Sequence, residues 1–527
     1  MVHLDMALCW FLLVVIGSSS ADDEFYTSIG HMTELLYTEQ DLVASLEDYI
    51  RAEENKLERI KRWAQKLADL SAFALEDPEG FLGHPVNAFK LLNRIDRKWS
   101  ELESLVLTDV SHGFVSDVAV GRRRFPDEGD RTGVAEALLR LQDTYELDTD
   151  SLAKGELPGT SRLRGGLTAD DCYDLGTVAY KANDFYHTEL WMSQALRQLE
   201  RGETPATVDA VTLLDYRGYS LYKQGDLERA KESAERLLEI DPVNERANAN
   251  LKYFKYQLAK EKTGEETPET LTRGRASYGG AYERLCRGDS VELTPRRRSR
   301  LFCRYHDNRG HPNLRIGPAK EEDVWDRPRI VRYHDVASDD DMEIIKELAK
   351  PKLARSKVSD GRTNEGLAVP SRISQNAWLA DKQHAGVDRA VRRMGDITGL
   401  DTSTAEELQV VNYGVGGQYE PHFDFQGDEV PEPYAHLGTG NRIATWLLYI
   451  SDVPAGGATV FPEVGAVVWP IKGSAVFWYN LRLNGKGDYQ TRHAACPVLV
   501  GSKWVSNKWL HERGQEFRRR CGLRSSD

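Results

Sequence analysis

The chain has 527 residues, a formal net charge of −14 at pH 7, and 40% hydrophobic and 29% charged residues. That length exceeds what one hydrophobic core supports and implies several structural units. The acidic balance argues against a general nucleic-acid binder, and the basic runs at Arg122–Arg124 and Pro295–Arg300 read as solvated surface.

The first residues, MVHLDMALCWFLLVVIGSSSADDE, place an apolar run from Ala7 to Gly17 ahead of small residues. This reads as a secretory signal over 1–20, too short to span a bilayer, although no Lys or Arg leads it. No later apolar run is long enough for a membrane helix, so a soluble protein of the secretory pathway is expected. Residues 21–160 read as a helical domain. Leu46, Ile50, Leu57, Ile60, Ala64 and Leu67 recur at coiled-coil spacing with charges between them, as in RAEENKLERIKRWAQKLADL. An association surface and an ordinary bundle core are both compatible with that pattern.

Residues 161–260 contain an internal echo. DLGTVAYKANDFYHTELWMSQAL overlays DYRGYSLYKQGDLERAKESAERLLEIDP, with Gly176 on Gly218, Tyr180 on Tyr222 and Asp184 on Asp226. Small residues for close helix approach, a polar turn and a terminal proline resemble the tetratricopeptide repeat. The region is rich in tyrosine: Tyr173, Tyr180, Tyr186, Tyr216, Tyr219, Tyr222, Tyr253 and Tyr256, with Trp191. Such rings either fill a core or line a groove for a proline-rich peptide in polyproline II form.

Residues 261–328 read as a polar linker followed by a disulfide segment. Five cysteines remain once Cys9 leaves with the signal. In an oxidising lumen the simplest pairings are the local ones, Cys286 with Cys303 and Cys496 with Cys521, leaving Cys172 free. Residues 329–527 turn to short β-rich runs (RIATWLLYI, GAVVWP, GSAVFWYN, KWVSNKWL) broken by turn residues, which suggests a sandwich or barrel. One helix, SDDDMEIIKELAK, opens on a capping serine and acids.

Within this β-rich region, YGVGGQYEPHFDF carries His422 and Asp424 one residue apart. Residues two apart on a strand project to the same side, so both can face one ion while Phe423 turns into the core. His493, in DYQTRHAACPV, offers a third ligand. Two histidines and a carboxylate occupy one face of an octahedron and leave room for a bidentate co-substrate and dioxygen, which suits iron(II). The same set can hold zinc in a hydrolase, although no general base stands out. A phosphate-cradling loop at Gly414, Gly416 and Gly417 lacks the continuation that such loops need. Lys503, in GSKWVSNKWLHE, is expected on a strand neighbouring that of His493. A lysine among apolar residues needs an anion, which the distal carboxylate of 2-oxoglutarate would supply; an exposed lysine on an edge strand is the competing reading.

NYGVGGQYEPHFDF, GTGNRIATWLLYISDVPAGGATVFP, GSAVFWYNL, TRHAACPVLVGSKWVSNKWLHERGQEFRR and, far upstream, DPEGFLGHPVNAFKLL and ALLRLQDTY resemble the alpha subunits of animal collagen prolyl 4-hydroxylases. The resemblance implies a multidomain chain: an all-α half of coiled-coil-like helices and tetratricopeptide-like repeats, then an α+β double-stranded β-helix, or jelly roll, that is catalytic. It implies His422, Asp424 and His493 as ligands of Fe(II), Lys503 as partner of the 2-oxoglutarate carboxylate, Tyr413 and Thr459 as further co-substrate contacts, and His511 as a catalytic residue handling the co-substrate. It implies O2 as the other co-substrate and L-ascorbate as the reductant of oxidised iron. Tyr180, Tyr216, Tyr219 and Tyr222 would line a peptide groove for procollagen chains, whose X-Pro-Gly prolines become 4-hydroxyproline as 2-oxoglutarate becomes succinate. The N-terminal helices would pair two alpha subunits. Protein disulfide isomerase would be the beta subunit of an α2β2 heterotetramer in the endoplasmic reticulum lumen, and would explain retention of a chain ending RSSD. Two departures stand out: no Asn-x-Ser/Thr glycosylation site occurs, and KVSDGRTNEGLAVPSRISQ differs from the family pattern. A 2-oxoglutarate oxygenase with a non-collagen substrate and a noncatalytic secretory peptide-binding scaffold are the alternatives.

Overall fold

The computed structural model describes residues 57–107, 128–158, 166–202, 206–263, 280–358 and 369–524. The expected signal, Leu46 and Ile50 of the apolar stripe, the Arg122–Arg124 run and residues 359–368 lie outside them. Residues 57–76 form a helix in a unit of its own. Along it Ile60, Trp63, Leu67 and Leu70 make a half-buried stripe at steps of three and four. Among the described residues no helix is long and apolar enough to cross a membrane.

From Asp77 onward the expected helical stretch is broken rather than continuous. Asp77 caps the short helix Pro78–Leu82, Pro85 opens Pro85–Asn93, and a π-helical turn, Arg94–Lys98, precedes Trp99–Leu107. Both prolines sit in the first turn, where their missing N–H costs nothing. Helix Glu128–Tyr145 packs its apolar side (Ala135, Leu138, Leu141) with Val86, Phe89, Leu152, Leu175 and Trp191 into one buried cluster. Trp191 is core and not groove: it is fully buried, and its Nε1 donates to Gln142 Oε1 at 3.0 Å.

The internal echo is two helix pairs, Ala169–Lys181 with Phe185–Glu200 and Ala210–Lys223 with Leu227–Ile240, followed by Glu245–Thr263. Asp184 and Asp226, equivalent in the echo, cap the second helix of each pair by accepting from the backbone N–H of His187 and Arg229. A Cβ on Gly176 would come within 2.7 Å of Met192 Cε, so the first pair approaches as closely as a glycine allows. Tyr173, Tyr180, Tyr216, Tyr219 and Tyr222 are half-buried in a continuous row, with ring centroids between 4.8 and 6.2 Å apart from one neighbour to the next.

The β-rich part is two large antiparallel sheets packed face to face and a third, two-stranded one of Ala455–Gly456 and Val498–Val500. The larger has nine strands in the order Cys303–His306, Ala319–Asp326, Arg329–His334, Ala475–Tyr479, Arg442–Tyr449, Lys503–His511, Leu408–Tyr413, Gln375–Leu379, Ala354–Arg355. The smaller has five: Ala466–Val468, Thr459–Phe461, His493–Ala495, Gln418–His422, Arg372–Ile373. Their shared core joins Val411, Tyr449, Val476 and Trp478 of the large sheet to Phe461, Val468 and Ala495 of the small one. Helices Asp339–Ala349 and Ala385–Thr398 cover the other side of the large sheet, packing Ile345, Val387 and Met394 on Leu379, Val410 and Trp446.

Two expectations about the join are corrected. Strands Cys303–His306 and Ala319–Asp326 extend the large sheet, so the β domain takes in residues assigned above to a linker segment ending at 328. The disulfide links Cys286 to Cys496, 210 residues apart, whereas the exposed Cys303 and Cys521 and the buried Cys172 form no disulfide. Helix Ala281–Arg287 lays Tyr282, Leu285 and Cys286 on Ala458, Val460, Ala494 and Cys496 of the small sheet, and that docking selects the distant partner over the local one.

Candidate active site

His422 ends the strand Gln418–His422, and His493 opens the adjacent strand directly opposite it. Asp424 follows as the chain leaves the strand. The ligand atoms of these three residues lie within 4.8 Å of one another. Nδ1 of His422 donates to the Glu420 carbonyl at 2.8 Å, and Nδ1 of His493 to the Thr491 carbonyl at 3.0 Å. Each ring is thereby held in the tautomer whose Nε2 lone pair is free, and both Nε2 atoms point at the carboxylate, 3.7 Å from Asp424 Oδ1 and 3.5 Å from Oδ2. Thr445 of the large sheet donates to Asp424 Oδ2 at 2.7 Å and fixes its rotation. Burial, and then proximity to His493, hold the His422 imidazole down to about 3, so it is neutral, as a metal ligand must be. Burial alone would raise Asp424, but His493, His422 and Arg442 outweigh it and hold the carboxyl at about 2. The donor set therefore fits a divalent transition metal, and its open side faces a cavity. Phe423 turns the other way, against Phe425 and Tyr489, as the strand period requires.

That cavity is lined by both sheets. Leu447, Trp478 and Val505 give it an apolar wall, and Tyr413, Thr459, Lys503, Asn507 and Arg372 give it polar points. Lys503 is not on a strand adjoining that of His493: it opens Lys503–His511 in the large sheet, in register with Tyr413, and faces His493 across the cavity. The residue is 1% exposed, and its ammonium has no hydrogen-bond partner among the described residues. Two rings attend it, Tyr413 at 5.3 Å and Tyr449 at 5.7 Å. Burial pushes the amine down to about 7. Lys508, equally buried on the same strand, is paired with Asp381. The contrast shows what Lys503 lacks, since an unpaired buried charge costs several kcal/mol that only an anion can return.

Tyr413 and Thr459, expected beside the co-substrate, both line the cavity, and Thr459 Oγ1 accepts from Tyr449 Oη at 2.7 Å. His511 is not among the lining residues. It is fully buried, with Nδ1 2.7 Å from the Gly440 carbonyl and Nε2 3.0 Å from Glu406 Oε1. Glu406 in turn grips Arg442, whose guanidinium lies 3.8 Å from the ring of Trp509, a cavity residue. Arg372, Tyr419, Thr445 and Trp509 complete the site. Tyr419 stacks on His422 with ring centroids 3.5 Å apart, and the Arg372 guanidinium lies over the tyrosine ring at 4.7 Å.

Known families match along most of the chain. The prolyl 4-hydroxylase alpha-subunit N-terminal region matches residues 28–159, the prolyl 4-hydroxylase peptide-substrate-binding domain 169–260, and the 2OG-Fe(II) oxygenase superfamily 408–511. Prolyl 4-hydroxylase subunit alpha-1 of Bos taurus is 57% identical over 98% of this chain and 99% of its own length. The chain belongs to the prolyl 4-hydroxylase alpha-subunit family. Subunit alpha-2 of Gallus gallus is 52% identical over 98% of this chain and 99% of its own. The solved viral collagen prolyl hydroxylase of Paramecium Bursaria Chlorella virus-1 aligns with 34% of this chain and 94% of its own at 23% identity and a TM-score of 0.28. As a member of this family the protein is a dioxygenase dependent on iron(II) and 2-oxoglutarate that hydroxylates proline.

Proposed function

We propose that this protein hydroxylates C4 of proline in X-Pro-Gly repeats of procollagen, using the His422–Asp424–His493 triad as its iron site and Lys503 as the anchor of the distal carboxylate of 2-oxoglutarate. The observation that carries this reading is the buried, unpaired Lys503 ammonium across one cavity from two imidazole Nε2 atoms aimed at one carboxylate. When bound, iron(II) supplies the activation of dioxygen that couples decarboxylation of 2-oxoglutarate to hydroxylation of the proline. The chain's own residues bind and orient. Glu420 and Thr491 carbonyls and the Thr445 hydroxyl hold the three ligands in place. Lys503 supplies the charge that a dicarboxylate needs, flanked by Tyr413 and Thr459, and Leu447, Trp478 and Val505 keep water from the reacting atoms. His511 is a positioning residue: through Glu406 it sets Arg442 against Trp509 at the cavity wall.

Around this centre we infer the finer features that the family resemblance implies. L-ascorbate reduces iron oxidised in turnovers without peptide. The repeat helices from Ala169 hold the procollagen chain along the tyrosine row. The N-terminal helices, including the half-buried stripe of 57–76, pair two alpha subunits. Protein disulfide isomerase completes an α2β2 assembly in the endoplasmic reticulum lumen, reached through a cleaved signal over 1–20. We divide the chain into a helical unit to about 160, repeats to about 260, a linker, and a catalytic β domain that begins by Cys303. Succinate release driven by a Pro-Pro-Gly repeat peptide tests the reading: His422→Ala abolishes it while leaving the peptide bound. Full turnover by His422→Ala would remove the triad from the mechanism, and peptide binding without any peptide-driven succinate in the native assembly would favour the noncatalytic scaffold.

A further inference from the structure

The last turns of helix Glu128–Tyr145 dock on the barrel at the turns that lead into its cavity. Tyr145 Oη donates to the Pro497 carbonyl oxygen at 2.6 Å, and that carbonyl oxygen also accepts the backbone N–H of Gly457 at 3.0 Å. Gly457 lies against the stem of Lys503, since a Cβ there would stand 3.4 Å from Lys503 Cδ. Two residues further on, Thr459 lines the cavity. Earlier in the helix, Arg140 Nη1 donates at 3.0 Å to the carbonyl of Gly416, three residues after Tyr413, and the Gly416 N–H donates to the Val498 carbonyl at 2.8 Å. Gly416 has φ of +70°, and a Cβ there would sit 2.5 Å from Ala137 Cβ, so only glycine lets this turn meet the helix. Leu499 and Val500 of the barrel share one buried cluster with Leu138, Leu141 and Phe89.

The helix thus ties together three turns: the one that follows Tyr413, the one that precedes Thr459 and the one that precedes Lys503. We propose that Tyr145 is a positioning residue for Lys503, holding the Pro497 carbonyl that in turn fixes the Gly457 backbone against the lysine stem, so that the helical half of the chain sets the affinity of the barrel for 2-oxoglutarate. The inference rests on Lys503 being the carboxylate anchor. A lysine with no hydrogen-bond partner among the described residues owes its placement to the packing of its methylenes, and a turn freed from its hydrogen bond no longer confines them. The cost falls on co-substrate binding, while the peptide groove and the triad are untouched.

Tyr145→Phe in the full-length enzyme removes one hydroxyl and little else. It raises KM for 2-oxoglutarate about two- to tenfold, the range of one lost hydrogen bond, with kcat at saturating co-substrate and KM for peptide unchanged. In a second readout, the rise in melting temperature that 2-oxoglutarate produces with Mn(II) in place of iron shrinks, while the melting temperature without co-substrate holds. Lys503→Ala is measured alongside. If Lys503→Ala weakens co-substrate binding and Tyr145→Phe does not, the positioning role is overturned and the anchor stands. If Lys503→Ala has no effect, both are overturned. A parallel rise in peptide KM, or a fall in melting temperature without ligand, reduces Tyr145 to a structural contact and also overturns the inference.

Discussion

The repeat helices and the barrel hold their functional groups in opposite ways. From Tyr173 to Tyr222 the rings sit half-buried at the surface in edge-to-face or tilted contact with one another. In the barrel the groups that matter are taken out of water: Asp424, His493 and Lys503 are all buried, and Lys503 has no counter-charge among the described residues. Rings that meet a peptide give up no charge hydration, so their contribution is spread over many small contacts. A desolvated ammonium concentrates its contribution on the one ligand that neutralises it. Co-substrate affinity should therefore collapse on a single substitution, and peptide affinity should decline by steps.

The largest expected effect is at Lys503. Lys503→Met keeps the apolar stem and removes the charge, and KM for 2-oxoglutarate rises on the order of hundredfold, as expected for losing one partner of a buried charge pair. The pH dependence sharpens this. Free protein loses the Lys503 proton as pH rises through about 7; a bound dicarboxylate keeps the proton on. Affinity is therefore level below pH 7 and falls about tenfold per pH unit above it. Titration of 2-oxoglutarate binding in the native protein shows that slope, and Lys503→Met shows none over the same range. Without ligand, the same shift makes folding stability rise with pH from about 7 toward the ordinary lysine value of 10.5, because the unfolded chain binds a proton that the fold excludes. A flat affinity profile in the native protein would mean that the ammonium has a partner after all, and would end the contrast with the repeats.

Next in size is Thr445→Val. Its hydroxyl orients Asp424 Oδ2 and is also approached by Asn480 Nδ2 at 2.9 Å. Valine leaves the ligand in place but free to rotate, and metal affinity falls about 10- to 100-fold, the usual cost of losing a partner that orients a ligand. Competition with a chelator, followed by residual activity at saturating iron, separates this from a defect in chemistry: activity returns when iron is added.

How much of this was legible in the sequence follows from what local spacing encodes. The step of two between His422 and Asp424 fixes a face, and the face proved right, with Phe423 turned away. Thr445 and Leu447 lie on the cavity side of RIATWLLYI by the same period, so the alternation marks them too. Spacing does not encode which strands become neighbours. Lys503 was expected beside His493, but the strand Val498–Val500 intervenes and the chain crosses to the other sheet before Lys503. The disulfide failed for the same reason: Cys286 and Cys303 are close along the chain, but helix Ala281–Arg287 carries Cys286 onto the small sheet while Cys303 goes to the edge of the large one. In the repeats the echo carries its own register, so Asp184 and Asp226 were readable as equivalents and the structure gives both the same capping role. Arg372 and Tyr419 had no pattern to mark them; only the folded stack over His422 reveals them.

The smallest effect belongs to the groove and decides whether it is distributed. Tyr219 has Tyr180 at 5.7 Å, Phe185 at 5.9 Å and Tyr222 at 6.2 Å, with Lys223 Nζ 5.4 Å from its ring. Removing one ring of such a row costs about 1 kcal/mol, so Tyr219→Ala should raise KM for a long Pro-Pro-Gly chain about fivefold. A single Pro-Pro-Gly unit is too short to occupy the groove and the cavity together, so its KM should not change, and kcat should be the same for both. The reason is effective concentration: the groove keeps the next proline near the iron without touching the reacting one. Tyr180→Ala combined with Tyr219→Ala should fall short of the product of the two effects, because the two rings already touch. If Tyr219→Ala alone abolished long-chain binding, the groove would hinge on one contact, and the repeats would resemble the barrel in the respect that now separates them.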